Sequence, residues 1–268
     1  MENLVSDRKQ DTDMIGRKIK TKLILLTPIF IILAHHCAML PHEYAHSFMA
    51  WLLGDKINPL ALNYGGTSWL NLLLLADMDE NVAYQSILTA GHSYHVAFIA
   101  FAGIGIANSL MYIFSLSLLS KQAVIRRPAI LYFIFLFNLM NVGNFFAYIP
   151  IRTLTTHGDV INFVNGLSIS AWWVYIIGGY IVAFIIWYFF TRTMLHAFKT
   201  LNLSSVTSKL NLTVLCVLIL FGFYGGLPGI SGSYGEISYF LSATSLLAIP
   251  GIILMLWPTR GWIWLNQR

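Results

Sequence analysis

The stretch LILLTPIFIILAHHCAMLPHEYAHSFMAWLL, residues 23–53, decides the fold of this chain. If it is helical throughout, it is about 46 Å long, whereas the hydrocarbon core of a bilayer is about 30 Å thick. We therefore expect a membrane-spanning helix that breaks at Pro41, because proline interrupts the helical hydrogen bonds and suits the first turn of a new segment. Residues 42–53 would form that second segment.

An H-E-x-x-H sequence opens this second segment. On a helix, His42 and His46 are four residues apart, so both imidazoles point to one face and can hold one zinc ion. Glu43 lies about 100° around the helix, where it can act as general base toward a water that the metal activates. Since a charged group is costly near a bilayer, a bound cation would offset the cost of Glu43. The alternative is a pair of helix-face histidines that bind no metal.

The composition extends the membrane prediction to the whole chain. Of the 268 residues, 57% are hydrophobic and 10% are charged, whereas soluble domains carry about 25% charged residues. We expect an all-α integral membrane protein with a basic N-terminal segment over residues 1–22 and a single polytopic membrane domain over residues 23–268. The net charge is +5, but the basic residues flank apolar segments, so membrane orientation explains them and no nucleic-acid partner is expected.

Apolar runs after the first stretch complete a set of about six spans. They fall near residues 84–119, 129–149, 169–191, 211–228 and 237–257. Residues 57–70 alternate in hydropathy, which indicates a short strand or hairpin at membrane level. The N terminus, the 120–128 and 192–210 loops and the tail with Arg260 and Arg268 are basic, so the positive-inside rule makes both termini cytosolic. The H-E-x-x-H sequence then lies toward the non-cytosolic half.

A catalytic zinc needs a third protein ligand and an open fourth position. Asp159 is our candidate, because it is the only carboxylate between Glu80 and Glu236 and follows the span that should return to the level of the H-E-x-x-H sequence. His157 is the competing third ligand. Asp159 would otherwise be an ordinary loop or helix-capping residue, since Gly158 and Asp159 precede an apolar run.

These motifs resemble the site-2-protease class of intramembrane zinc metalloproteases. The likeness begins at residues 42–46 and continues to Gly54, similar to the first core helix of that family. Ala90-Gly91 is similar to the family's Ala-Gly-Pro element, with His92 in place of the proline. Residues 144–159 are similar to its Asn-Pro-Asp-Gly region, in which the aspartate is the third zinc ligand.

The resemblance implies a zinc metalloprotease that hydrolyses peptide bonds of a transmembrane protein or peptide substrate within or beside the lipid bilayer. Glu43 would be the general base. An oxyanion partner is also needed, and Asn144 is the first candidate, with Asn141 and His95 behind it. Each asparagine can equally be a polar contact between helices.

Two other classes of function remain open from the sequence. The histidine pairs at 35–36, 42/46 and 92/95 faintly resemble the histidine boxes of membrane di-iron desaturases and hydroxylases, although the His-x-x-His-His box is absent. An inactive membrane scaffold or a transporter is the other alternative, because intramembrane polar groups also line transport pathways. Metal content separates these classes: one zinc, two irons or none.

Overall fold

The computed structural model describes the backbone of residues 2–259 and the side chains of residues 21–259. The chain is 77% helical and has no strand in the described part. Six helices there are long and apolar enough to cross a membrane, so the prediction of an all-α membrane protein with six spans is confirmed. Most side chains of the basic N-terminal segment, and the tail with Arg260 and Arg268, lie outside the described residues.

Ten helices follow one another in the described residues. They are α1 (Glu2–Leu52), α2 (Trp69–Leu74), α3 (Tyr84–Thr89), α4 (Ser93–Leu119), α5 (Gln122–Ile125), α6 (Pro128–Ile151), α7 (Asp159–Leu167), α8 (Ala171–Thr200), α9 (Val206–Ile230) and α10 (Glu236–Met255). The six long ones, α1, α4, α6, α8, α9 and α10, are the candidate spans.

The first helix is continuous, so the predicted break at Pro41 is wrong. α1 contains both Pro28 and Pro41 in its interior. A break at membrane depth would leave several backbone groups without partners in lipid, whereas a proline inside a continuous helix forfeits one hydrogen bond. The H-E-x-x-H sequence therefore lies within one long helix rather than at the start of a second.

α6 is the central helix of the bundle. In its most apolar window 72% of the residues are buried, against 22% in α1 and 17% in α8 and α10. Its side chains belong to the largest apolar core, where Phe135 of α6 stacks on Phe189 of α8 with 5.5 Å between ring centroids. The outer helices therefore leave much of their apolar surface to lipid.

Residues 57–70 do not form the predicted strand or hairpin. Residues 57–68 form a loop that leads into α2 at Trp69, and a single antiparallel pair between Asn63 and Asp79 is the strand-like feature of this region. The buried Asn71 side chain donates to two loop carbonyls and accepts from the amide of Asp77. Because a side chain satisfies the loop backbone from inside, no strand ladder is needed.

The predicted helical stretch 84–119 is divided into two helices, α3 and α4. Gly91 has a φ of 85°, which ends α3 and allows α4 to start in a new direction. α7 packs closely on the start of α4, where a Cβ at Gly166 would come within 3.0 Å of backbone atoms of Ser93 and Ala97. This close approach brings Asp159, the first residue of α7, toward α1.

Candidate metal centre

Side chains of α1 and α7 converge on one point inside the bundle. The Nε2 atoms of His42 and His46 are 3.1 Å apart, and each is 3.2 Å from Oδ2 of Asp159. Zinc ligands lie about 2.0–2.1 Å from the ion, so in a tetrahedral site they are about 3.3–3.4 Å from one another. The three distances are therefore slightly shorter than the ligand spacing of a tetrahedral zinc site, and close to it.

The hydrogen bond at Nδ1 of each imidazole determines whether Nε2 carries a proton or a lone pair. Nδ1 of His42 is 2.6 Å from Oδ1 of Asn108, and Nδ1 of His46 is 2.6 Å from the carbonyl oxygen of Ile99. Both partners are acceptors, so each Nδ1 carries the proton and each Nε2 presents a lone pair. Two lone pairs and a carboxylate oxygen repel one another in a buried space unless a metal ion or a shared proton lies between them.

The orientation of Asn108 is fixed by a second amide. Its Nδ2 donates to Oδ1 of Asn141, and Nδ2 of Asn141 donates to the carbonyl of Phe137. His42, Asn108 and Asn141 are all fully buried. A directed series of hydrogen bonds thus runs from α1 through α4 to α6, and such outer partners orient metal-binding histidines. Asn141, a reserve candidate for the oxyanion role, has this structural role instead.

The Asp159 carboxylate faces the two histidines rather than capping its helix. Burial by itself raises the pKa of this carboxyl, but positive charge from a proton shared with the imidazoles of His46 and His42 outweighs burial and holds the pKa below its usual range. The side chain is only 14% exposed. Asp159 therefore supplies a negative charge, which would offset part of the charge of a bound zinc ion in a low-dielectric setting.

The structure places Asp159, and not His157, beside His42 and His46. The His157 ring stacks on the Tyr234 ring, with 4.6 Å between centroids and an angle of 15°. The 150–160 connection folds back onto α1 as the choice of Asp159 requires.

Gly103 closes one side of the converging group. A Cβ at this position would fall within 3.0 Å of Nε2 of both His46 and His42, so a side chain would occupy the space between the ligand atoms. Gly103 lies in a π-helical turn over Ala102–Asn108, and such turns recur at functional sites. No motif surrounds this glycine, and sequence reasoning gave it no role.

A polar cavity of about 620 Å³ reaches the group at Asp159. Glu43, Asn144 and Asp159 all line it. Glu43 is 6% exposed, and Nδ2 of Asn144 is buried without a hydrogen-bond partner among the described residues. An acid–base group and an amide donor without a partner therefore share one cavity with Asp159.

Two further residues of this cavity have roles that the sequence did not reveal. Glu80 belongs to an acidic loop that reads as a solvated surface, yet it is buried and lines the cavity. The Arg152 guanidinium lies 4.9 Å from the ring centroid of Tyr148 and 4.6 Å from that of Tyr234. Tyr148 in turn contacts the ring of His42, with 4.8 Å between centroids. Part of the cavity wall is thus a series of ring and guanidinium contacts that ends at His42.

A second, apolar cavity of about 530 Å³ also reaches Asp159. Apolar side chains of α4, α6, α7 and α8 form most of its wall, among them Ile104, Phe145, Phe163 and Ile177. Two cavities of contrasting polarity therefore meet at one carboxylate.

The remaining histidines do not join this group. His35 contacts the hydroxyl of Tyr224 and the carbonyl of Leu74, and His36 contacts two backbone carbonyls, so this pair attaches α2 to α1. His95, the other reserve candidate for the oxyanion role, contacts Asp55. In the described part of the chain, the three histidine pairs lie in three separate places, which does not assemble a di-iron histidine box.

No protein-family model, curated protein or solved structure matches this chain. The function is therefore inferred from the chemistry of the centre. This centre combines three convergent polar atoms, the buried carboxylate of Glu43 and the amide of Asn144, whose Nδ2 has no hydrogen-bond partner among the described residues.

Proposed function

We propose that this chain is an intramembrane zinc metalloprotease that hydrolyses peptide bonds of membrane-embedded substrates. The observation that carries the proposal is the buried convergence of His42, His46 and Asp159, with both Nε2 lone pairs directed inward. Three protein ligands with an open fourth position are typical of catalytic zinc sites. Zinc held by these residues would lower the pKa of a water molecule to about 7 and polarise the scissile carbonyl.

Glu43 and Asn144 supply the groups that hydrolysis needs besides the metal. Glu43 lines the polar cavity next to Asp159, so it can take a proton from water and later deliver it to the leaving nitrogen. The unpartnered Nδ2 of Asn144 can donate to the oxygen that becomes negative in the transition state.

The two cavities fit the two reactants. Water reaches the centre through the polar cavity, and an apolar substrate segment reaches it from the lipid through the apolar one. On the positive-inside pattern, we place both termini in the cytosol and the centre toward the non-cytosolic half of the membrane.

The test is Glu43→Gln, which removes the proton acceptor and leaves the three ligands in place. Wild type and variant are reconstituted in proteoliposomes with a panel of fluorogenic single-span peptides, and bound zinc and cleavage are measured on the same samples. We expect equal zinc content and a rate about 10²–10⁴-fold lower, the contribution of a general base. Glu236→Gln, at an exposed position, is the matched control and should cleave normally.

Three outcomes would refute the proposal. They are a wild type without zinc, full cleavage by Glu43→Gln, and zinc movement into the proteoliposomes without cleavage of any peptide. The last result would identify the transporter alternative.

A further inference from the structure

A second group of metal-binding side chains lies where α1 ends and α4 begins. Asp55 follows α1, His92 precedes α4 and His95 lies in its first turn, and one ligand atom from each lies within 4.8 Å of the others. Nδ1 of His95 is 2.8 Å from Oδ2 of Asp55, and Nδ1 of His92 is 3.7 Å from Oδ1. The two carboxylate oxygens therefore each face a different imidazole.

The Asp55 carboxylate needs a compensating positive charge close by. Its side chain is only 11% exposed, and histidines are its only ion-pair partners within 4.0 Å among the described residues. A carboxylate so far removed from water requires a compensating charge. Either the histidines are protonated or a metal ion lies among the three side chains.

The donor set and its exposure favour a metal ion. Imidazole nitrogens with a carboxylate oxygen suit zinc and similar divalent ions. The side chains of His92 and His95 are 54% and 32% exposed, so an ion can enter and water can complete its coordination. The exposed His92 ring can rotate to close the longer of the two distances to Asp55.

We propose that Asp55, His92 and His95 form a second, weaker divalent-metal site that clamps the end of α1 to the start of α4. His95 of this site lies about 12 Å from Gly103 along the axis of α4, given the helical rise per residue. One turn after His95, the carbonyl of Ile99 accepts the hydrogen bond that orients His46. The second site thus holds together α1 and α4, whose contact builds the first centre. The proposal of this site does not depend on whether the protein hydrolyses peptides.

Metal titration of the full-length protein in detergent tests the second site. Zn²⁺ binding is followed by competition with a chromophoric chelator, and Co²⁺ binding by its absorption spectrum. We expect two equivalents in wild type, and loss of only the weaker one in Asp55→Asn and in His92→Ala/His95→Ala. The control His196→Ala, whose ring contacts the carbonyl of Leu119 away from both groups, should keep both equivalents.

The converse variant separates the second site from the first. His42→Ala/His46→Ala should lose the tighter equivalent and keep the weaker one, and excess Zn²⁺ should still raise its melting temperature. Adding Asp55→Asn to this variant should abolish the rise. Asp55→Asn keeps the size of the side chain, and its melting temperature without metal shows whether the fold has survived.

Either of two results would overturn the second site. One is a single equivalent in wild type that His42→Ala/His46→Ala abolishes completely. The other is two equivalents retained in both Asp55→Asn and His92→Ala/His95→Ala. A melting temperature that depends on pH but not on Zn²⁺ would identify an ion pair between Asp55 and protonated histidines instead. Because the readout is metal binding, failure of the second site is distinguishable from failure of the proposed protease function.

Discussion

Asn108 offers a test of how the first centre selects the nitrogen of His42 that would bind the proposed zinc ion. Its Oδ1 is 2.6 Å from Nδ1 of His42, and its Nδ2 donates to Asn141. Asn108→Leu removes the acceptor and retains a buried side chain of similar size. The Nδ1 proton of His42 is then left without a partner, or it moves to Nε2 and occupies the lone pair that faces the metal.

Both outcomes, an unpartnered Nδ1 proton and a proton moved to Nε2, predict a similar loss of zinc affinity. A buried donor that loses its acceptor costs about 1–3 kcal/mol. Loss of an outer partner of a metal-binding histidine typically weakens metal affinity about 10–100-fold, which corresponds to about 1.4–2.7 kcal/mol. We therefore expect the zinc dissociation constant of Asn108→Leu to rise by about one to two orders of magnitude.

The assay is competition for zinc between purified protein and a chelator of known affinity. Asn138→Leu is the matched control, because Asn138 is also fully buried and bonds across the same pair of helices to Ser115. It should lower stability and leave zinc affinity unchanged. Asn108→Asp retains an acceptor for Nδ1 and should bind zinc more tightly than Asn108→Leu.

Two results would refute this account of Asn108. An unchanged affinity in Asn108→Leu would mean that the hydrogen bond does not set the state of His42. An equal loss in Asn138→Leu would assign the effect to general loosening of the contact between α4 and α6.

Three further predictions concern the same centre and its place in the membrane. Gly103→Ala should abolish zinc binding, because its Cβ would occupy the space between the ligand nitrogens, whereas Gly179→Ala, with no atom within 4 Å of its Cβ, should bind normally in the same metal analysis. Asp159→Ala removes a ligand and should weaken zinc binding more than loss of a histidine's hydrogen-bond partner does, which is about 10–100-fold. His157→Ala should leave zinc binding nearly intact. The reverse result would make His157 the third ligand. A label at Asp79 should react from outside intact cells while tags on both termini do not, and reversed labelling would overturn the charge-based orientation.

Hydropathy predicted the spans because the membrane leaves little choice of backbone structure. Every backbone group in lipid must be satisfied internally, so an apolar run of sufficient length becomes a helix. The same argument was less reliable at boundaries. Pro41 remains inside α1, and residues 57–68 form a loop in which the side chain of Asn71 satisfies two backbone carbonyls.

The sequence by itself determined that His42, Glu43 and His46 share one helix, because helical periodicity is a local property of four or five consecutive residues. The sequence offered Asp159 and His157 as alternative third ligands, and only the tertiary structure selected Asp159 and added Asn108 and Gly103. Asp159 is 117 residues away from His42 and Asn108 is 66 residues away. Gly103 is identified only by the atoms its missing side chain would displace. Such contacts follow from the packing of α1, α4, α6 and α7, and packing of distant segments leaves no periodic pattern in the sequence that could be used to predict it.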